Sequence, residues 1–221
     1  MTTERDTSGG QPLALRERKQ RRARQQAIEV ASRIFRQRGY DETSLEDIAY
    51  EAEMSVSSLL RYFGSKERLA LAHHIDHLES FRRHLADESK PPLERWREFI
   101  VDQASSLRSF DSYNDERQLI VSVPGLLRQL SRIQLDQQDE LAASFAREAG
   151  VDPDDDLYGR LLAALLVAGN EAVYIQWLRS GGKRDLPAMC LAVVDFVATR
   201  LGSRDETTDT IASLSDVSPR S

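Results

Sequence analysis

From Leu13 to Gly202 the apolar residues return every three or four positions, and no convincing stretch alternates with period two. A chain patterned this way folds as helices, not strands, so the expected fold class is all-α. Glycine and proline cut the pattern into segments. Ala27, Ile28, Ala31, Ile34 and Phe35 form one face that stops at Gly39, a natural C-terminal cap. Short helices are expected near 45–52 and 56–62, and Gly64 breaks the chain before a longer helix from Lys66 to the 87–92 region. Further helices are expected over 93–107, 124–148, 154–180 and 186–201. Phe110–Asn114 reads as a loop, and 115–122 as a short segment before Pro124. Residues 1–12 and 203–221 read as disordered, the latter for its eight Ser or Thr and four acidic side chains.

Composition removes several classes. With 40% apolar and 30% charged residues, the chain suits a globular protein and is too apolar for wholesale disorder. The longest apolar run, Leu161 to Gly169, is far shorter than the ~20 residues of a membrane span. No secretory signal is visible, and a single cysteine, Cys190, excludes an internal disulfide or a cysteine metal cluster. A cytoplasmic protein without membrane contact is expected. The net charge of -6 hides an asymmetry: residues 1–40 balance at +6 and the remainder at -12. The excess lies in Arg16, Arg18, Lys19, Arg21, Arg22 and Arg24, which points to a local polyanion contact.

The stretch from Thr43 to Leu69 is the most informative. Thr43 with Glu46, and Ser44 with Asp47, each fit a capping box that opens a helix. Ile48, Ala49 and Ala52 make its inner face, and the two alanines permit a close crossing. Ser55 is a ready N-cap for a second helix whose Val56, Leu59 and Phe63 face inward. Two short helices across a turn of this length make a helix-turn-helix. The outward Ser57, Ser58, Arg61 and Tyr62 suit base edges and phosphates, and Lys66 stands at the next helix start, where an anion is favoured.

On these residues the chain resembles a known family. Residues 21–72 are similar to the N-terminal DNA-binding domain of TetR-family transcriptional regulators. The matching pattern runs through Ala31, Phe35, Gly39, Tyr40, Thr43, Ile48, Ala49, Ala52, Ser55, Tyr62, Phe63, Lys66, Glu67 and Leu69. The resemblance implies that Thr43, Tyr62 and Lys66 touch phosphates and that residues 55–61 face the major groove. The full expected DNA-contacting set is Arg21, Arg22, Thr43, Ser44, Ser55, Val56, Ser57, Ser58, Arg61, Tyr62 and Lys66. Two positions depart from the pattern. Glu53 stands where glycine is usual, which implies a less easy left-handed turn. Leu60 replaces a frequent tyrosine, which removes one phosphate hydrogen bond.

The resemblance also implies a C-terminal half that binds a small molecule and builds a two-fold dimer from its last two helices. The helix from Asp154 to Ser180 is apolar on nearly every face, so it must be covered on opposite sides. Leu165, Gly169, Ala172 and Val173, with Val194 and Val197 of the last helix, are the expected dimer interface. Asn170, Glu171 and Gln176 interrupt the apolar pattern and need partners wherever they are buried. The expected ligand-binding set is Trp96, Phe99, Gln103, Leu107, Leu127, Arg128, Asn170, Tyr174 and Trp177, with Leu130 beside them. Residues 120–200 are similar to the mycofactocin-regulator branch, which implies an acyl-CoA-like ligand; Arg128 or Arg132 would meet its anionic headgroup.

Enzyme chemistry finds no constellation. His73 and His77 stand four apart near Asp76 but lack a HExxH pattern, so no metal is expected. Neither Gly64-Ser65-Lys66 nor Gly181-Gly182-Lys183 has the upstream glycine of a phosphate loop, and no GxSxG elbow occurs. No cofactor is expected. The domains read as 13–72, DNA-binding, and 73–202, ligand-binding and dimerising. The partners are double-stranded DNA with a palindromic operator, a small-molecule ligand and a second copy. An architectural DNA-binding protein would share the basic start but not the large acidic half. A small-molecule carrier would not need a helix-turn-helix.

Overall fold

A computed structural model describes residues 11–106, 110–201 and 204–215, except the side chains of 11–14, 110–112 and 210–215. All regular structure among them is helical: α1 (Gln11–Arg38), α2 (Leu45–Glu51), α3 (Val56–Phe63), α4 (Lys66–Ala70), α5 (Ala72–Leu85), α6 (Pro92–Ser106), α7 (Phe110–Ser122), α8 (Pro124–Ala149), α9 (Leu157–Arg179), α10 (Leu186–Arg200) and α11 (Arg204–Ser215). Leu107, an expected ligand contact, and most of the expected disordered ends lie outside the described residues.

Four local differences from the sequence reading have physical causes. Gln11 and Pro12, expected in a disordered start, open α1. The helix expected from Lys66 onward is broken at Leu71, because Leu69, Ala70, Leu71 and Ala72 are all buried. Four consecutive apolar residues exceed the stripe a straight helix can hide, and the break hides all of them. Phe110–Asn114, expected as a loop, is the first part of α7. There the Tyr113 ring lies 5.5 Å from that of Tyr174. Residues 204–215, expected as disordered tail, form α11. Its Arg204 pairs with the buried Asp156 carboxylate and lies 4.8 Å from the Tyr158 ring. A polar composition concealed one well-placed cation.

The chain divides into two compact units. The first runs through His73 and takes in Asp115–Leu127; the second holds His74–Asn114 and Arg128 onward. The first unit buries Ile28, Ile34, Phe35, Ile48, Leu59, Phe63, Leu69 and Leu71, along with Ile120 and Leu126. Arg36 reaches Asp115 at 2.7 Å and His73 reaches Glu116 at 2.8 Å, which explains why that part of α7 belongs here. The second unit packs Phe81, Trp96, Phe99, Leu141, Phe145, Leu162, Leu166, Tyr174, Trp177, Cys190 and Val194 into one core. Each large side chain so buried contributes about 1.5–3 kcal/mol.

The helix α9 is, among the described residues, long and apolar enough to cross a membrane, although the sequence had shown no unbroken run of that length. Its apolar faces have two separate uses. Leu162, Ala163, Leu166, Val173, Tyr174 and Trp177 are buried in the unit's own core. Leu157, Leu165, Ala168 and Ala172 are exposed at helical spacing, and Phe196 of α10 is 62% exposed.

Candidate nucleic-acid interface

The helix pair α2–α3 is set by its caps. Ser44 Oγ accepts from Asp47 N at 3.0 Å, and Asp47 Oδ2 accepts from Ser44 N at 2.9 Å, closing the capping box expected for α2. The Ser44 hydroxyl, its backbone N–H and the nearby Arg38 all favour the Asp47 carboxylate ion, holding its pKa below the ordinary value. Arg38 lies 3.6 Å from Asp47 and 3.7 Å from Glu51, and Arg33 reaches Glu51 at 2.9 Å. Three ion pairs thus lay α2 against α1. The turn keeps its left-handed residue although no glycine is there: Glu53 has φ of 53°. The backbone N–H of Met54 donates to Ala49 O at 2.9 Å, and Gln26 Nε2 donates to Ala52 O at 3.4 Å, so the surrounding bonds determine the strained conformation.

In α3, Leu59 and Phe63 are buried, while Ser57, Leu60 and Arg61 are exposed. Val56, Ser58 and Tyr62 are half-buried. Ser55 Oγ accepts from Ser58 N at 3.1 Å and lies 2.9 Å from the hydroxyls of Ser57 and Ser58, which fixes three small polar groups at the helix start. The Arg61 guanidinium sits 5.3 Å from the Tyr62 ring. Between this helix and the beginning of α1 lies an open cleft of about 550 Å³, lined by Leu15, Arg16, Lys19, Gln20, Ala23, Arg61 and Tyr62. Arg16 and Lys19 of α1 therefore border the C-terminal end of α3, and Arg21 and Arg22 are exposed on the same helix α1. The basic run at 16–24 is legible in the sequence, but the placing of Arg16 and Lys19 around one cleft with Arg61, about 40 residues on, is not.

Two expected phosphate contacts have other tasks in this structure. Thr43 is 1% exposed and its hydroxyl donates to Gly39 O at 2.7 Å, so that group ties the α1–α2 loop and does not face outward. Lys66 Nζ donates to Tyr40 O at 3.0 Å and Thr43 O at 2.9 Å, and lies 4.2 Å from the Tyr40 ring. It staples the start of α4 to the same loop. Arg24, 5.2 Å from the Phe63 ring, ties α1 to α3.

In the second unit, Trp96, Phe99, Tyr174 and Trp177 from the expected ligand set are core residues. Leu130 is also buried. Gln103 is half-buried and bonds Ser80 Oγ at 3.2 Å. Arg128 and Arg132 are exposed on α8, and Leu127, also exposed, belongs to the first unit. Asn170 is 3% exposed; its Nδ2 donates to Leu166 O at 2.9 Å, while Oδ1 has no partner. Burial raises the Tyr174 phenol far above its ordinary value and the Cys190 thiol to about 12, so both are neutral. His73 bonds Glu116, and the His77 ring lies 4.8 Å from Phe99. Burial, aided by the charge of His74, lowers His77 to about 3.

The expected dimer residues separate into three groups. Leu165 and Ala172 are exposed, as an interface requires. Val173, Val194 and Val197 are buried within the protomer and cannot meet a partner without repacking. Gly169 belongs to the α9–α10 crossing, since a Cβ there would stand 2.6 Å from Val193 Cγ1. Leu157, Ala168 and Phe196, outside that expected set, are exposed as well. The spacing 157, 161, 165, 168, 172 was legible, but nothing in the sequence told the two apolar faces of α9 apart.

Comparison with known proteins agrees with this architecture. Residues 27–73 match the family described as bacterial regulatory proteins, tetR family, and residues 90–202 match the MftR C-terminal domain. The HTH-type transcriptional regulator TcmR of Streptomyces glaucescens is 30% identical over 188 residues, covering 80% of this chain and 82% of that protein. The HTH-type transcriptional repressor KstR2 of Mycobacterium tuberculosis is 26% identical over 168 residues, covering 72% and 82%. The solved structure of Thermus thermophilus FadR, a TetR-family repressor in complex with lauroyl-CoA, shares the fold. Its TM-score is 0.53 at 23% identity, over 79% of this chain and 93% of that one.

Proposed function

Because the chain belongs to the TetR family of bacterial transcriptional regulators, we propose that it is a homodimeric, cytoplasmic repressor released from a palindromic operator by a largely apolar small molecule. The observation that carries the DNA-binding part is the exposed face of α3, with Ser57 and Arg61 outward and the cations of α1 lining the adjoining cleft. A helix of this kind fits a major groove, and the cations supply sequence-independent attraction to phosphates. The exposed stripe of α9 with Phe196 of α10 is the dimer face. Two copies joined there would present two reading heads, and a ligand that changes their spacing would prevent simultaneous docking.

The ligand's main body is apolar, because the core of the second unit is apolar and aromatic. A fold neighbour was solved with lauroyl-CoA, and an acyl-CoA is the class we carry forward. Its headgroup would lie outside the core, since Arg128 and Arg132 are exposed. The test combines light scattering with a gel shift on duplexes selected from a random pool, followed by competition with acyl-CoAs of increasing chain length. The expected outcome is a dimer with a symmetric operator, released by ligands that gain about 0.8 kcal/mol per buried CH₂. A monomer that binds all duplexes alike would overturn the repressor reading. Release independent of chain length would overturn the acyl class alone.

A further inference from the structure

Among the described residues of the second unit, six side-chain atoms are buried without a hydrogen-bonding partner. Arg95 Nε and Asp156 Oδ2 belong to charged groups bonded through their other atoms. The uncharged four are His77 Nε2 on α5, Trp96 Nε1 on α6, Ser144 Oγ on α8 and Asn170 Oδ1 on α9. Trp96, Ser144 and Asn170 are nine-tenths buried or more. The rings of His77 and Trp96 lie 4.8 Å and 5.4 Å from that of Phe99, and Trp96 shares its core with Leu166 and Tyr174, which flank Asn170 on α9. Buried polar atoms are nearly always paired, so four from four helices of one unit call for a cause. Their chemistry is mixed. The indole N–H donates, the Asn170 oxygen accepts, a neutral imidazole nitrogen can accept, and a serine hydroxyl does both.

This mixture fits an uncharged group better than an ion. Among the described residues of the unit, the buried cation is Arg95. It has an unpartnered Nε, but its guanidinium also donates to Leu85 O at the end of α5, where a cation and the helix dipole suit each other. Resting on the ligand-domain reading above, we propose that the ligand carries into this core an uncharged group that both donates and accepts hydrogen bonds, a hydroxyl or an amide, with Asn170 and His77 as its specificity-determining contacts. An acyl chain bearing such a group meets the requirement, and so does a ring. Plain hydrocarbon of the same size leaves these atoms unpaired and binds more weakly.

Calorimetry on the full-length protein with three probes of one shape tests this: 2-naphthol, 2-methylnaphthalene and 2-naphthoate. We expect 2-naphthol to bind about tenfold more tightly than 2-methylnaphthalene, and 2-naphthoate to bind most weakly. In Asn170→Leu and in His77→Phe the preference for the hydroxyl should fall to about threefold or less. The melting temperature should hold or rise, because an unpartnered polar atom has been removed. The proposal is overturned if the naphthoate binds best, if hydroxyl and methyl probes bind equally, if no probe binds, or if the preference survives in both variants. A gel shift on the selected operator, run without probe, separates the two ideas. Loss of operator binding there sinks the repressor reading and leaves the probe ranking standing.

Discussion

Lys66 shows how one residue can satisfy a sequence pattern and serve a different end. Its position suggested a phosphate contact, but its ammonium holds the carbonyls of Tyr40 and Thr43. Replacing it with methionine keeps the aliphatic stem and leaves two acceptors unpaired. Lys66→Met should therefore cost about 1–3 kcal/mol of stability, read from the denaturant midpoint, where a surface phosphate contact would cost none. No spacing rule could reveal this, because the partners lie 26 and 23 residues away. The capping residues were legible for the opposite reason: Ser44, Asp47 and Ser55 act within three positions of themselves. His77 gives a pH prediction. Its folded-state value of about 3 lies below the ordinary 6.5, so the unfolded chain binds the proton more readily. Its contribution is fully present above 6.5 and is lost as pH falls from there toward 3. Stability should decline by about 1.4 kcal/mol per pH unit within that window, and urea melts at pH 7 and 5 should show His77→Phe to be flatter than the parent.

Helices were legible where apolar period and punctuation agreed, as at α1, α3 and α10. They were missed where a tertiary partner decided the matter. α7 starts at Phe110 with Tyr113 against Tyr174, and α11 exists with Arg204 on Asp156. Arg204→Ala should leave the Asp156 carboxylate buried with only the α9 cap to satisfy it. A loss of about 1–3 kcal/mol is expected, with reduced helicity, by thermal melting followed with circular dichroism. The α9–α10 crossing and the exposed apolar surface predict opposite behaviour. Gly169→Val strikes Val193 across the α9–α10 crossing and should destabilise the protomer by about 1–3 kcal/mol. Phe196→Glu changes only an exposed face and should yield a folded monomer with undiminished helicity. Light scattering beside circular dichroism checks both; a Phe196→Glu dimer would place the interface elsewhere.

Across the whole molecule, charge and fold tell one story. The positive excess of residues 1–40 falls mainly within the sequence of α1, whose Arg16 and Lys19 line the cleft beside α3, while residues 41–221 balance at -12. Replacing Arg21 and Arg22 together by alanine should make the logarithmic salt dependence of operator binding shallower by about two units and weaken specific and random duplexes alike, by fluorescence anisotropy. The helix-turn-helix and the all-helical character of the rest were legible from motif and apolar period alone. The assignment of Asp115–Leu127 to the head was not, because it depends on pairs such as Arg36 with Asp115 that join distant stretches of chain. The two tryptophans of the chain, Trp96 and Trp177, both lie in the core of the second unit, and the head has none. The native protein therefore carries an optical label on one half only. Its indole emission should be blue-shifted by the apolar surroundings, insensitive to events confined to the reading head, and responsive to any rearrangement of the acidic core.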